Sequence, residues 1–250
     1  MTSSRHLPLA VLAAGLALTA GVGLAAEGEL EIFANGEALA TEGFLAPELT
    51  RDGWELRFDR VLVTVAGIAA LQTDPPYDAE AGGAPDAAVT VPLDTGGPLT
   101  IDLTETDADG RVLIGSSEAP EGHYNAVVWS VVPAAGGEWA GRSMVLVGTA
   151  TKDGKAAPFT LTSSDTHDYV CGEFIGDERK GFVTAGGVAD LELTFHLDHV
   201  FGRADKGADD PMNQAGLGFE VFASGSEQTI ELAGLHIGHV GEGHCAVTYR

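Results

Sequence analysis

The chain has little positive charge, little sulfur and, beyond its first 26 residues, no long apolar run. Only 13 of its 250 residues are Lys or Arg, against 37 Asp or Glu, for a formal net charge of −24. Nucleic acid is excluded, because a polyanion would be repelled and would release no counterions onto such a surface. Docking on anionic lipid is excluded for the same reason. The same negative field raises the local concentration of cations. Cysteine occurs twice, at Cys171 and Cys245, with no CxxC spacing to support a thiolate zinc site. Met144 and Met212 are the only methionines after Met1, too few for a thioether-rich cuprous site. HExxH is missing, and with it the base of a zinc protease. There is no GxSxG elbow to present a serine nucleophile and no phosphate-binding glycine loop.

What is there begins with an address. Met1 to Ala26 combine a short polar start carrying Arg5 and His6, an apolar run from Leu7 to Leu18, and a small-x-small site at Gly23-Leu24-Ala25. This is the layout of a secretory signal peptide, with Ala26 as the neighbouring cleavage option. Residues 1–25 are therefore expected to be removed. Residues 26–250 remain as a single periplasmic or secreted domain with no membrane insertion. In an oxidising compartment, Cys171 and Cys245 are expected to form a disulfide.

Hydrophobic residues make up 44% of the chain, enough for a real core, and 34 glycines and 11 prolines punctuate it. Trp54 to Val61 largely alternates apolar and polar residues with period two, the mark of a half-buried strand. Leu62 to Leu71 continues as a deeply buried run. Further strands are expected at Ala88–Leu93, Leu99–Leu103, Arg111–Ile114, His123–Val132, Met144–Gly148, Phe159–Thr162, Phe182–Thr184 and Leu191–Leu197. Asp109-Gly110 and Asp153-Gly154 are hairpin-type turn signals. Many short strands with frequent turns predict an all-β, antiparallel β-sandwich. Arg203 to Gly218 is expected to be a polar loop. Ile230 to Val240 fits neither period and is expected to be a short helix or irregular, giving a C-terminal section that is partly helical.

The histidines carry the candidate chemistry. Five fall in the last 55 residues, in two segments: His196 and His199, then His236, His239 and His244. Each segment contains HxxH, and such local enrichment is a metal signal. Neutral imidazoles suit Zn²⁺ or Cu²⁺, and three or four of them satisfy one ion. On a helix His236 and His239 would share a face, whereas on a strand they would point oppositely. Extending the strand of Leu191 places Leu193, Phe195, Leu197 and His199 on one face, with His196 and Asp198 on the other. Both histidines can then reach one ion only if the strand ends or bends near Asp198. Glu242 and Asp198 could orient an imidazole or add an oxygen ligand, and Glu242 could serve as a base in a metal-dependent hydrolase. His167 is an extra ligand if the disulfide draws it towards the tail. His123, beside Tyr124, is expected to be structural. Asp205, Asp209 and Asp210 offer hard oxygens, but without EF-hand spacing.

The run Trp54 to Val65, then Ile101-Asp102-Leu103, then Ala119-Pro120-Glu121-Gly122-His123-Tyr124 resembles a family of secreted bacterial β-sandwich domains of unknown function. In those domains a V-x-V-x-x-I strand, a leucine-bearing strand and a P-x-G-x-Y turn follow one another. The layout is also similar to periplasmic copper-binding proteins associated with methanobactin. The resemblance covers Glu29 to Phe201 and implies a sandwich fold with a periplasmic metal role. It carries over no catalytic residue, and the His239 to Cys245 tail departs from both patterns.

The expected function is a non-enzymatic periplasmic metal-binding protein, taking zinc first and copper second, for sequestration, trafficking or supply to a metal importer or another periplasmic protein. The alternative is a secreted module that binds a protein or glycan and whose histidines are structural.

Overall fold

The computed structural model describes residues 27–172, 180–234, 238–240 and 244–250, with the backbone alone described at 238–240 and 244. The expected signal peptide, His236 and Glu242 lie outside the described residues.

The chain opens with β1 (Glu27–Asn35), a one-turn helix α1 (Glu37–Thr41) and a long strand β2 (Glu55–Thr73). There follow β3 (Ala87–Pro92), β4 (Leu99–Asp102), β5 (Val112–Pro120), β6 (Gly122–His123) and β7 (Ala126–Val131). Next come β8 (Met144–Lys152), β9 (Lys155–Ser163), β10 (His167–Gly172), β11 (Phe182–Val183) and β12 (Val188–Phe195). Two short helices, α2 (Asp198–Phe201) and α3 (Pro211–Ala215), precede a 3₁₀ turn at Glu220–Phe222. The chain ends with β13 (Gln228–Glu231), β14 (Gly238–Val240) and β15 (His244–Tyr249).

The fold is all-β. One sheet runs β14-β12-β1-β5, and a larger one runs β13-β9-β8-β2-β7-β10-β15, with β3 and β4 also paired to β2. β11 and β6 form a short ribbon. Alternation drives the burial. Leu30, Ile32 and Ala34 of β1, with Leu191, Leu193 and Phe195 of β12, turn inward and are almost wholly buried. They join Val61, Val63 and Val65 of β2 and Trp129, Leu146 and Leu161 of the larger sheet in one core. Both larger sheets therefore share a single hydrophobic interior.

Four expectations need correction. The sheets are mixed rather than antiparallel, because β1 runs parallel to β12 and β13 parallel to β9. Parallel partners need a long crossover. Here some 150 residues separate β1 from β12, so no local pattern announces the pairing. Among the described residues, the Ile230–Val240 stretch holds no helix: β13 ends at Glu231, residues 232–234 are irregular, and β14 begins at Gly238, the two strands adding to the edges of the two larger sheets. The Arg203–Gly218 loop contains α3, with Pro211 in its first turn and the Asp210 side chain accepting from Met212 N. Of the two turn signals, Asp153-Gly154 closes the β8–β9 hairpin with both residues at positive φ, as a type I′ turn requires. Asp109-Gly110 instead turns the chain between β4 and β5, which lie in different sheets.

Cys171 and Cys245 face each other in the β10–β15 register and are joined by the expected disulfide, across a sequence separation of 74. On the chain-entropy account, a loop of that length stabilises the fold by about 4 kcal/mol. The Cys171→Ala, Cys245→Ala double variant is expected to lose stability of that order in denaturant melts. A loss below about 1 kcal/mol would show that β15 holds without the cross-link.

Candidate metal centre

β12 ends at Phe195, one residue before His196, and the chain turns at once into α2. The condition that the sequence set for His196 and His199 to meet is therefore fulfilled. His199 N donates to the His196 carbonyl at 3.2 Å, a three-residue turn that places i and i+3 on one side. The two rings stack, with centroids 5.8 Å apart and planes 27° apart. Two imidazoles bound to one tetrahedral zinc through nitrogens at ~2.0–2.1 Å set their centroids roughly 5 Å apart, so a small ring movement suffices.

The turn is held from below and behind. Phe201 is buried against Phe44, Phe219, Phe58 and Phe222, with centroid distances from 5.1 to 6.5 Å. Gly202 closes α2 at φ 82°, in the left-handed region that glycine alone adopts without strain. A Cβ there would also stand 2.5 Å from Asn213 Oδ1. Asn213, on α3, receives Arg203 N on that oxygen and donates from Nδ2 to the carbonyls of Arg203 and Gly207. Leu217 N adds a bond to the Val200 carbonyl. α3 thus pins the loop that follows the histidine turn.

Charged groups surround the pair. Glu37 Oε2 lies 3.1 Å from His196 Nδ1. Glu37 occupies φ 54°, unusual for a residue with a side chain, and Asn35 Oδ1 accepts its backbone N–H. Sequence reasoning missed Glu37, because 159 residues separate it from His196. Burial pushes the His196 imidazole down. The hydrogen bond and charge of Glu37, with the charge of Asp198, outweigh that, so its pKa lies above the ordinary 6.5. In the neutral ring, a Glu37 acceptor at Nδ1 selects the tautomer with its lone pair on Nε2, as in carboxylate–histidine–metal arrangements. Asp198 is buried. Its Oδ2 accepts from Arg203 Nη1 at 3.3 Å, while its Oδ1 has no hydrogen-bond partner among the described residues. A buried carboxylate oxygen left in that state is costly.

The tail reaches this corner by its backbone. β14 pairs with β12 so that His239 stands opposite Thr194, two residues before His196. His244 opens β15 opposite Gly172, beside the disulfide. Side-chain placement of His239 and His244, like that of His236 and Glu242, lies outside the described residues. Among the described residues, no group of three or more His, Cys, Asp or Glu side chains is arranged to hold a metal ion.

His167 sits elsewhere. The disulfide-bearing strand pair does bring it to the tail, but opposite Tyr249, at the far end of β10 from Gly172. Five strand steps of ~3.4 Å separate its backbone from the His244 register position by about 17 Å. His123 stacks on Phe182 at 3.8 Å. Of the acidic loop, Asp205 binds the Arg203 guanidinium and Asp210 caps α3, so neither carboxylate is held ready for calcium.

Neither a protein-family model, nor a curated protein, nor a solved structure matches this chain.

The Glu37–His196 contact sets a pH signature. A histidine with a raised pKa contributes stability that is fully present below its unfolded value of 6.5 and lost as pH rises through its folded value. Glu37→Gln is expected to move the His196 ring titration, followed by NMR, to lower pH. The melting-temperature difference from wild type should be largest below pH 6.5 and shrink above it. An unmoved titration would mean that Glu37 does not govern this ring.

Proposed function

We propose that the protein binds one transition-metal ion, zinc first and cupric copper second, through His196 and His199 together with histidines of the C-terminal chain. Its role is sequestration or trafficking of that ion outside the cytoplasm, with delivery to an importer or another periplasmic protein. The observation that carries this reading is the stacked His196–His199 pair on a braced turn, beside a buried Asp198 oxygen that has no hydrogen-bond partner among the described residues. Three further features support it. Glu37 is placed to orient one ring from its far nitrogen. β14 brings the His239 backbone alongside the end of the same strand. The net charge of −24 favours the approach of a cation.

Metal analysis of the purified protein after equilibration with Zn²⁺ tests this. Wild type is expected to retain about one equivalent. The pairs His196→Ala with His199→Ala, and His239→Ala with His244→Ala, are each expected to retain far less. Zinc at 100 times its Kd should stabilise wild type by about 2.7 kcal/mol and leave both variants unmoved. Equal metal content in all three proteins would remove the proposal and leave a protein- or glycan-binding module with structural histidines.

A further inference from the structure

A second group of chemistry-bearing side chains lies well away from the His196 turn. β7 and β8 follow each other along the same edge of β2: Thr64 N donates to the Ser143 carbonyl, and Val132 N donates to the Thr64 carbonyl. Between the end of β7 and the start of β8 is a cavity with room for one water-sized occupant. Met144, the first residue of β8, and His167, the first of β10, both line it, with Val63, Val131 and Tyr169 as walls. His167 is 4% exposed, and its Nε2 is buried without a hydrogen-bond partner among the described residues. Its ring packs edge-on against Tyr249 at 4.8 Å, which keeps it in place.

The serines in the wall do not meet the needs of that nitrogen. Ser143 Oγ donates to the Ser163 carbonyl, and Ser163 Oγ accepts from Asp165 N. A histidine with a buried, unpartnered ring nitrogen and a methionine therefore line one small space.

We propose that this cavity is a separate site for one soft monovalent cation, Cu⁺ or Ag⁺, held between His167 Nε2 and Met144 Sδ. Imidazole and thioether are neutral, polarisable donors of the kind that favours cuprous copper and its silver analogue. No carboxylate lines the cavity, so Ca²⁺ and Mg²⁺ find none of the charged oxygen ligands they favour. Zinc would lack its usual four ligands. Burial lowers the His167 pKa, which leaves the ring neutral and ready to donate near pH 7, while the charges of Asp165 and Asp168 reach the ring and offset a bound cation. Both cysteines are consumed in the disulfide, so no thiol competes for the ion. The scarcity of methionine excludes a thioether-rich site but not a mixed one, and one of the two methionines after Met1 lines this cavity.

The test uses Ag⁺ in chloride-free buffer, added to protein already saturated with Zn²⁺ so that the histidines of the tail are occupied. Stoichiometry is followed by native mass spectrometry and binding by thermal shift. Wild type and Met212→Leu are expected to take up one Ag⁺. Met144→Leu, which conserves volume, and His167→Gln are expected to bind it at least tenfold more weakly, with zinc content unchanged. Met144→Leu alone decides the matter if His167→Gln fails to fold. Silver uptake by Met144→Leu equal to wild type would overturn the proposal, as would no uptake by wild type, which would make the cavity a water site only. Because zinc retention is measured on the same samples, failure here is distinct from failure of the zinc reading.

Discussion

The candidate centre depends on the burial of Phe201. Removing one such ring from water contributes on the order of 2–3 kcal/mol, and truncating it in a packed core costs more. That energy is spent at the end of a four-residue helix, a length with no stability of its own. With Phe201 locked among Phe44, Phe58, Phe219 and Phe222, the α2 turn has no alternative path. His196 and His199 then meet as a consequence of where the aromatic ring goes. Four rings from three parts of the chain fix two imidazoles that touch none of them in sequence.

The polar side of the same corner shows a different economy. Among the described residues, buried Asp198 accepts a hydrogen bond from one guanidinium nitrogen and has its other oxygen unpartnered, and Glu37 adopts a backbone conformation that side chains disfavour. Each costs stability on its own. Both costs fall within reach of the same imidazole, whose pKa they jointly raise. Proteins tolerate such concentrations of unfavourable terms where a ligand or a reaction repays them, and ordinary loop packing does not require them.

Some of this was legible in the sequence, for definite reasons. The period-two alternation at Trp54 to Val61 became the first half of β2, and the inward face assigned to Leu191, Leu193, Phe195 and Leu197 is buried throughout. Asp153-Gly154 and the cysteine pair carried their own chemistry and appear as expected. β1, β10, β13, β14 and β15 were not anticipated. Leu30, Ile32 and Ala34 do alternate, but the flanking Phe33 is also buried and blurs the pattern. β14 and β15 are short edge additions next to glycines, and edge pairing leaves little hydrophobic signature. Glu37 could not have been found at all, since nothing local links a residue at the start of α1 to one beyond β12. The bend at Asp198 could be stated only as a condition, because it is set by distant rings and by Asn213 behind Gly202, not by the His196 to His199 residues themselves.

The last segment of the chain joins these points. β14 completes the edge of one sheet and β15 the edge of the other, so the tail joins two sheets that share one core. Four residue steps separate Val240 from His244, which limits their Cα atoms to about 14 Å. The end of β12 and the end of β10 must therefore lie close together at this edge of the molecule. The disulfide adds to that constraint from the side of β10. Had the tail been tethered only by its hydrogen bonds, ordering its histidines around an ion would cost backbone and side-chain entropy at each binding event. Pairing His239 against β12 and His244 against β10 meets the backbone part of that cost during folding. On the proposed reading, a cation would then have only side chains left to arrange, which is the condition for tight binding by a site assembled from distant parts of a chain.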